Sequence, residues 1–176
     1  ATEDSEYSYT MTKSDIDVGD RYTFAATTLP SWLTFDGTAT ISGKPTNDHV
    51  GSNSVVLIVS DGTATAEQSF TISVANTNDA PEFSDPPTTI ETNEDAVYSY
   101  TITAEDVDVG DALIFAVPTL PTWLSFDGTA TISGTPLNEH VGTHAVVLTV
   151  SDAFGSVNQS LIIAVINTND TPVFSS

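Results

Sequence analysis

The chain has no cysteine, which excludes a disulfide-stapled scaffold and any zinc site built on thiolates and leaves the redox compartment open. Basic residues are nearly absent: three Lys plus Arg stand against 24 Asp plus Glu in 176 residues, a formal net charge of -21. Nucleic acid and anionic membrane are thereby excluded as partners, because both need a basic face to displace counterions. No apolar run approaches the ~18 residues that span a bilayer, and the amino terminus lacks the charged-then-hydrophobic pattern of a signal segment. A soluble piece of a longer protein is expected. Also missing are a Gly-x-Ser-x-Gly elbow, a His-Glu-x-x-His pair and a phosphate loop, so the chain is expected not to be an enzyme.

Hydrophobic residues make up 39% of the chain, enough to bury cores rather than remain disordered. An internal repeat sets the domain count. Residues 1–85 lie over residues 92–176 at a constant offset of 91 without a gap, and 50 of the 85 pairs are identical. Two acidic copies of a construction unit argue against a single glycosidase-like cleft, which would need one pair of carboxylates across a sugar.

Within each copy, Val, Ile, Thr, Phe and Tyr alternate with polar residues at period two, and Gly, Pro, Asn and Asp punctuate the runs. Tyr98, Tyr100 and Ile102 share a face, as do Val55, Leu57 and Val59, and Phe70, Ile72 and Val74. No stretch of ten or more residues carries a helical stripe. About seven short strands in some 90 residues is the pattern of an antiparallel sandwich, so the expected fold is all-β, two β-sandwiches in tandem. Expected boundaries are 1–79 for the first repeat, 80–170 for the second, and 171–176 as a tail or the start of a further repeat. The second copy begins with Pro81 to Glu91, a segment without a counterpart ahead of Ala1. The first sandwich is therefore expected to lack its first strand. An open edge of that kind invites pairing, and dimerisation through Val173-Phe174 is one such expectation.

The chemistry is concentrated in carboxylates. Asp-x-Asp-x-Gly-Asp occurs at Asp15, Asp17, Gly19, Asp20 and at Asp106, Asp108, Gly110, Asp111. Hard divalent cations take roughly 6 to 8 oxygen ligands, and two Asp two residues apart can turn toward one ion; a solvated acidic turn is the alternative, since loops favour the same residues. An EF-hand is excluded, because its twelfth position would be Ala26 or Val117 where a bidentate Glu is required. His49, His140 and His144 are too few and too scattered for a zinc site. Trp32 and Trp123 sit in Leu-Pro-x-Trp-Leu-x-Phe, an apolar setting that favours core anchors over sugar-stacking platforms.

The succession Glu-Asp, Asp-x-Asp-x-Gly-Asp, Leu-Pro-x-Trp-Leu-x-Phe-Asp, Ile-Ser-Gly-x-Pro, Val-Gly, Val-Ser-Asp and Asn-Thr-Asn-Asp-x-Pro-x-Phe resembles the dystroglycan-type cadherin-like repeats of large bacterial surface and secreted proteins. The resemblance covers essentially the whole chain. It implies calcium-stiffened Ig-like sandwiches used as stalks and adhesion modules at the cell surface or outside the cell, with carbohydrate binding as the alternative role. Expected partners are neighbouring repeats of the same chain, extracellular polysaccharide or another cadherin-like domain.

The resemblance also implies a ligand set for Ca2+ at the junction of the repeats. Asn76, Asn78 and Asp79 match the linker motif, Asp106 and Asp108 the Asp-x-Asp pair, and Asp152 an acidic residue on a later strand. Glu3 or Asp4 matches the base glutamate, and Asp48 the last residue of a Asp-Arg-Glu motif whose first two positions are here Thr46 and Asn47. The second copy repeats the lower half-site with Glu94, Asp95, Glu139, Asn167, Asn169 and Asp170. The first copy repeats the upper one with Asp15, Asp17 and Asp61. Glu91 competes with Glu94 for the base position, and the number of ions per junction stays open.

Overall fold

The computed structural model describes residues 1–14, 21–84 and 86–174. The chain divides into two compact units, Ala1–Thr77 and Asn78–Ser176. Unit 1 contains β1 (Tyr7–Thr10), β2 (Thr23–Thr28), β3 (Thr34–Phe35), β4 (Thr40–Gly43), β5 (Gly51–Ser60) and β6 (Thr65–Val74). One sheet runs β1-β4-β3 and the other β2-β5-β6, all antiparallel. Thr2 makes a parallel bridge to Ala75.

Unit 2 contains β7 (Glu82–Phe83), β8 (Thr89–Asn93), β9 (Tyr98–Thr101), β10 (Ala104–Glu105), β11 (Ile114–Thr119), β12 (Leu124–Phe126), β13 (Thr131–Gly134), β14 (Gly142–Ser151) and β15 (Ser156–Ile166). Its sheets are β12-β13-β9 and β11-β14-β15-β8, with β8 parallel to β15, and β7 pairs with β10. The expectation of an all-β chain built from two sandwiches holds. The helical pieces among the described residues are single 3-10 turns, Asn47–His49 and Asn138–His140.

Period-two alternation puts one side of each strand into a core shared by both sheets. In unit 1 Ile41 of one sheet meets Val55, Leu57, Ile72 and Val74 of the other; in unit 2 Ile132 meets Val146, Leu148, Leu161 and Ile163. Trp32 and Trp123 are buried in these cores, each edge-on to a tyrosine, Tyr7 at 5.7 Å and Tyr98 at 5.9 Å. They are core anchors. The close fit depends on Gly43 and Gly134, where an added Cβ would strike the carbonyl oxygen of Trp32 or Trp123.

The turn after each Phe-Asp-Gly is closed by the aspartate itself. Asp36 Oδ1 accepts the backbone N–H groups of Thr38 (2.7 Å), Ala39 (3.0 Å) and Thr40 (3.0 Å), and Asp127 does the same for Thr129, Ala130 and Thr131. These donors hold both carboxyl groups well below the usual carboxylate range. Gly37 and Gly128 supply the left-handed backbone that the turns need, with φ of 80° and 82°. Pro118 is tolerated within β11 because the pairing with β14 shifts between Ala116 and Thr119, a bulge where no ladder donor is required.

Candidate metal centre

The acids that converge lie at the amino-terminal end of unit 2. Asp106 follows β10 and turns the chain on itself, its Oδ1 accepting the N–H of Asp108 at 2.9 Å. Gly110, with φ of 102°, allows the loop to return, and Asp111 N–H reaches the carbonyl of Asp108 at 3.3 Å. Asp152 opens the turn between β14 and β15, where its Oδ1 accepts from Phe154 N–H at 2.6 Å and from Gly155 N–H. The entering segment is latched onto this scaffold at two points. Asn78 Nδ2 donates to Asp152 Oδ2 at 3.0 Å, and Asp79 N–H donates to Asp108 Oδ2 at 2.7 Å.

Asp106, Asp108 and Asp111 each offer a carboxylate oxygen, and the three atoms lie within 4.8 Å of one another. Asp108 is only 5% exposed. Oδ2 of Asp106 is buried and has no hydrogen-bond partner in the protein. The Asp111 carboxyl is pushed up, first by desolvation and then by the charges of Asp106, Asp108 and Asp152. The Asp152 carboxyl is held down by Gly155 N–H, Asn78 and Phe154 N–H. No lysine or arginine occurs after Lys44, so unit 2 contains no side-chain cation other than a protonated histidine to compensate the cluster.

An adjoining cleft is lined by Asp79, Glu82, Glu105 and Asp106. Its Glu82 and Glu105 stand directly opposite each other across the β7–β10 pair, a placement of like charges that destabilises a sheet unless something neutralises it. An all-oxygen donor set with an orphaned buried oxygen fits a hard divalent cation such as Ca2+ rather than zinc or copper. Asp106, Asp108 and Asp111 would hold the ion, with Asp79 and Asp152 beside them.

Of the ligand set that the resemblance implies, the structure brings together Asn78, Asp79, Asp106, Asp108 and Asp152 through hydrogen bonds. Asp111, Glu82 and Glu105 were not among the sequence-derived ligands. Asp111 was visible as the last residue of its motif, whereas the glutamate pair needed the strand register. Asp15 and Asp17 lie outside the described residues.

The remaining candidates fall into four groups. Glu3 and Glu94 are buried, at 2% and 3% exposure, and each receives a backbone N–H from the segment leaving its own unit: Thr77 to Glu3 Oε2 at 3.2 Å, Thr168 to Glu94 Oε1 at 2.6 Å. Glu91 is exposed on β8, so burial and bonding favour Glu94 for the base position. Asp4 and Asp95 occupy the left-handed region, with φ of 56° and 61°; Asp4 also makes an exposed ion pair with Lys44 at 3.1 Å. Asp48 and Glu139 are exposed on the 3-10 turns, and Asn76, Asn167, Asn169 and Asp170 are exposed in the segments that leave the two units.

Asp61 accepts from its own turn, Thr63 and Ala64 N–H at 2.7 Å each, which lowers its carboxyl. The histidines serve the turns: His49 Nδ1 accepts Thr46 N–H at 3.0 Å, and His140 Nδ1 accepts Leu137 N–H at 2.9 Å.

The family profile described as "Putative Ig domain" (He_PIG) matches the chain twice, over residues 1–75 and 80–166. No curated protein sequence matches. Among solved structures, the human mucin-like protocadherin EC1-2 is similar to 95% of this chain over 94% of its own, at 19% identity and a TM-score of 0.61. Drosophila N-cadherin EC1-4 is similar over 89% of this chain and 44% of its own, at 18% identity and a TM-score of 0.58. These two likenesses concern the fold. An endo-fucoidan hydrolase of glycoside hydrolase family 107 is 30% identical over 96% of this chain, at a TM-score of 0.45, and the chain spans 27% of that protein's length.

Proposed function

Because the chain belongs to the Putative Ig domain (He_PIG) family and carries two of its domains in tandem, we propose that it is a calcium-binding Ig-like, cadherin-like module of an extracellular adhesin or secreted multidomain protein. Within that fold the dystroglycan-type label is the finer assignment, and it rests on the motif succession of the sequence. The observation that carries the calcium reading is the carboxylate group Asp106, Asp108 and Asp111, with its orphaned Asp106 oxygen and no lysine or arginine in its unit. Such a group repels itself until a divalent cation neutralises it.

The segment Asn78-Asp79 hangs from Asp108 of that group through Asp79 and from the neighbouring Asp152 through Asn78, and it directly follows the end of the first unit. Calcium that rigidifies Asp106–Asp111 therefore also rigidifies the entry into the second repeat. Repeated along an array, that effect makes a stiff extender suited to adhesion. The carbohydrate-binding alternative loses both tryptophans as stacking platforms, since Trp32 and Trp123 are buried.

Thermal unfolding of the chelated protein across a calcium titration tests the site. An ion bound only by the folded form raises stability by about 2.7 kcal/mol at a hundredfold excess over Kd. The melting temperature is expected to climb with calcium, and Asp108→Asn to remove most of the rise. An unchanged melting temperature at every calcium concentration would leave the cluster a solvated acidic turn and end the stiff-extender reading. Small-angle scattering with calcium and with chelator then checks the mechanical step, which predicts a longer maximum dimension with the ion.

A further inference from the structure

We infer that the outward face of the β11-β14-β15-β8 sheet in unit 2 is a docking surface, and that its occupant is the same face of a second copy of this chain. β14 and β15 pair without interruption over ten positions, from Gly142↔Val165 to Ser151↔Ser156. Strand alternation turns Val147, Thr149, Asn158 and Ile162 of that ladder away from the core, and β11 sets Ile114 and Ala116 beside them. Ile114 and Ile162 are 63% and 46% exposed.

Charge is what sets this face apart. Unit 2 carries fourteen acids, yet among the described residues the one charged side chain on the face is Glu91, at its edge on β8 opposite Ala164. Two copies that each carry a net charge of -21 repel, so a contact between them must form through a surface that brings little charge of its own. The outward side of the β12-β13-β9 sheet is also uncharged, but it offers Ser99, Ser125 and Ser133 and has little apolar area to bury.

The polar groups of the face are bonded within it. Thr149 Oγ1 donates to Asn158 Oδ1 at 2.7 Å, and Ser151 Oγ donates to the Ile114 carbonyl at 3.4 Å. Covering these groups therefore costs little desolvation. They are also poorly placed to serve a sugar, and the outward positions of the four strands hold no aromatic ring for one to stack on. A second sheet, packed at the ~10 Å spacing of a sandwich, suits such a face better. The ladder is ~34 Å long and three strands span ~14 Å, so a pair of faces buries on the order of 1,000 Å², below the ~1,200–2,000 Å² of stable complexes. The association is weak, and because each copy uses the same patch it closes as a two-fold dimer. Unit 1 differs at one telling position: Glu67, opposite Ile58 within the equivalent ladder, stands where unit 2 has Asn158.

Sedimentation equilibrium of the full chain tests the inference, in chelator so that the result is independent of the calcium reading, and in ~0.5 M salt to screen the net charge. The weight-average mass is expected to rise from 18.5 kDa toward twice that value as the protein approaches ~1 mM, and to level there. Two substitutions, each installing the acid that unit 1 carries at the same position, separate the face from charge in general. Asn158→Glu puts two like charges into the symmetric contact and is expected to weaken it at least ~10-fold. Val97→Glu, at an 85% exposed site just ahead of β9 in the other sheet, adds the same charge and should leave the association unchanged. Glu67 and Glu6 occupy these positions in a folded repeat, so both variants are expected to fold. A monomer at every concentration overturns the inference, as does growth beyond a dimer, or association that Asn158→Glu spares or Val97→Glu abolishes. Retention of a monomeric protein on an insoluble neutral polysaccharide, lost in Asn158→Glu, would also overturn it and assign the face to a glycan.

Discussion

The two units share a scaffold at a 91-residue offset but not a charge distribution. Unit 1 has ten acids against three bases, Lys13, Arg21 and Lys44; unit 2 has fourteen acids and no lysine or arginine. Lys44 answers Asp4, and Lys13 lies over the Tyr22 ring at 2.9 Å, whereas the acids of unit 2 face one another. The same position also behaves differently in each copy. Among the described residues Asp61 accepts from its own turn, while Asp152 holds its turn with one oxygen and Asn78 with the other. The apolar positions that make the sandwich differ little between copies, and the acidic motif Asp-x-Asp-x-Gly-Asp is itself repeated, so the divergence in charge lies largely in the basic residues, which unit 2 replaces with Ala104, Ala112 and Thr135.

The second divergence lies beside the tryptophans. In unit 1 Asn53 uses both ends of its amide, accepting from Trp32 Nε1 at 3.0 Å and donating to the His49 carbonyl at 2.8 Å. In unit 2 the position is His144, whose Nε2 meets the His140 carbonyl at 2.6 Å, and Trp123 Nε1 is buried without a partner. An imidazole placed for the carbonyl has no second group in reach of the indole.

The strongest way to test the equivalence of the scaffolds is to empty each core at its centre. Ile41→Ala and Ile132→Ala remove fully buried side chains, and each should cost its own unit ~2–5 kcal/mol in denaturant unfolding; a marked difference would break the equivalence. Exchanging the indole partners comes next. Asn53→His should destabilise unit 1 by ~1–3 kcal/mol by orphaning Trp32 Nε1. The converse, His144→Asn, should stabilise unit 2 by ~1 kcal/mol, and a loss of stability there would show that the imidazole contributes more through packing than it loses.

The smallest effect expected is in the pH profile without calcium. The Asp111 carboxyl is raised by desolvation and neighbouring carboxylates, so the folded state holds its proton more tightly than the unfolded chain does. Unit 2 should therefore gain stability as pH falls from about 7 toward the raised carboxyl range, and Asp111→Asn should flatten that gain. Asp36, Asp61, Asp127 and Asp152 are shifted the other way. Their contribution is present above the ordinary aspartate range and is lost as pH falls through it, so both units should weaken in stronger acid, as measured by melting temperature against pH.

Much of this protein was legible without coordinates. Alternation at period two placed Val55, Leu57, Ile72 and Val74 inside, because a strand exposes alternate residues to one face. The offset of 91 announced two units, because identical sequences bury identical positions. The motif Asp106-x-Asp108 singled out the loop where carboxylate oxygens converge. What the sequence could not decide was which acids meet. The latch from Asn78 to Asp152 spans 74 positions, and the opposition of Glu82 to Glu105 depends on a register that a one-residue slip would reverse. Nor could it separate Glu94 from Glu91, since both are glutamates near a strand and only burial against the departing chain distinguishes them. Local pattern determines which face of a strand is apolar; long-range packing alone sets the distances between charges.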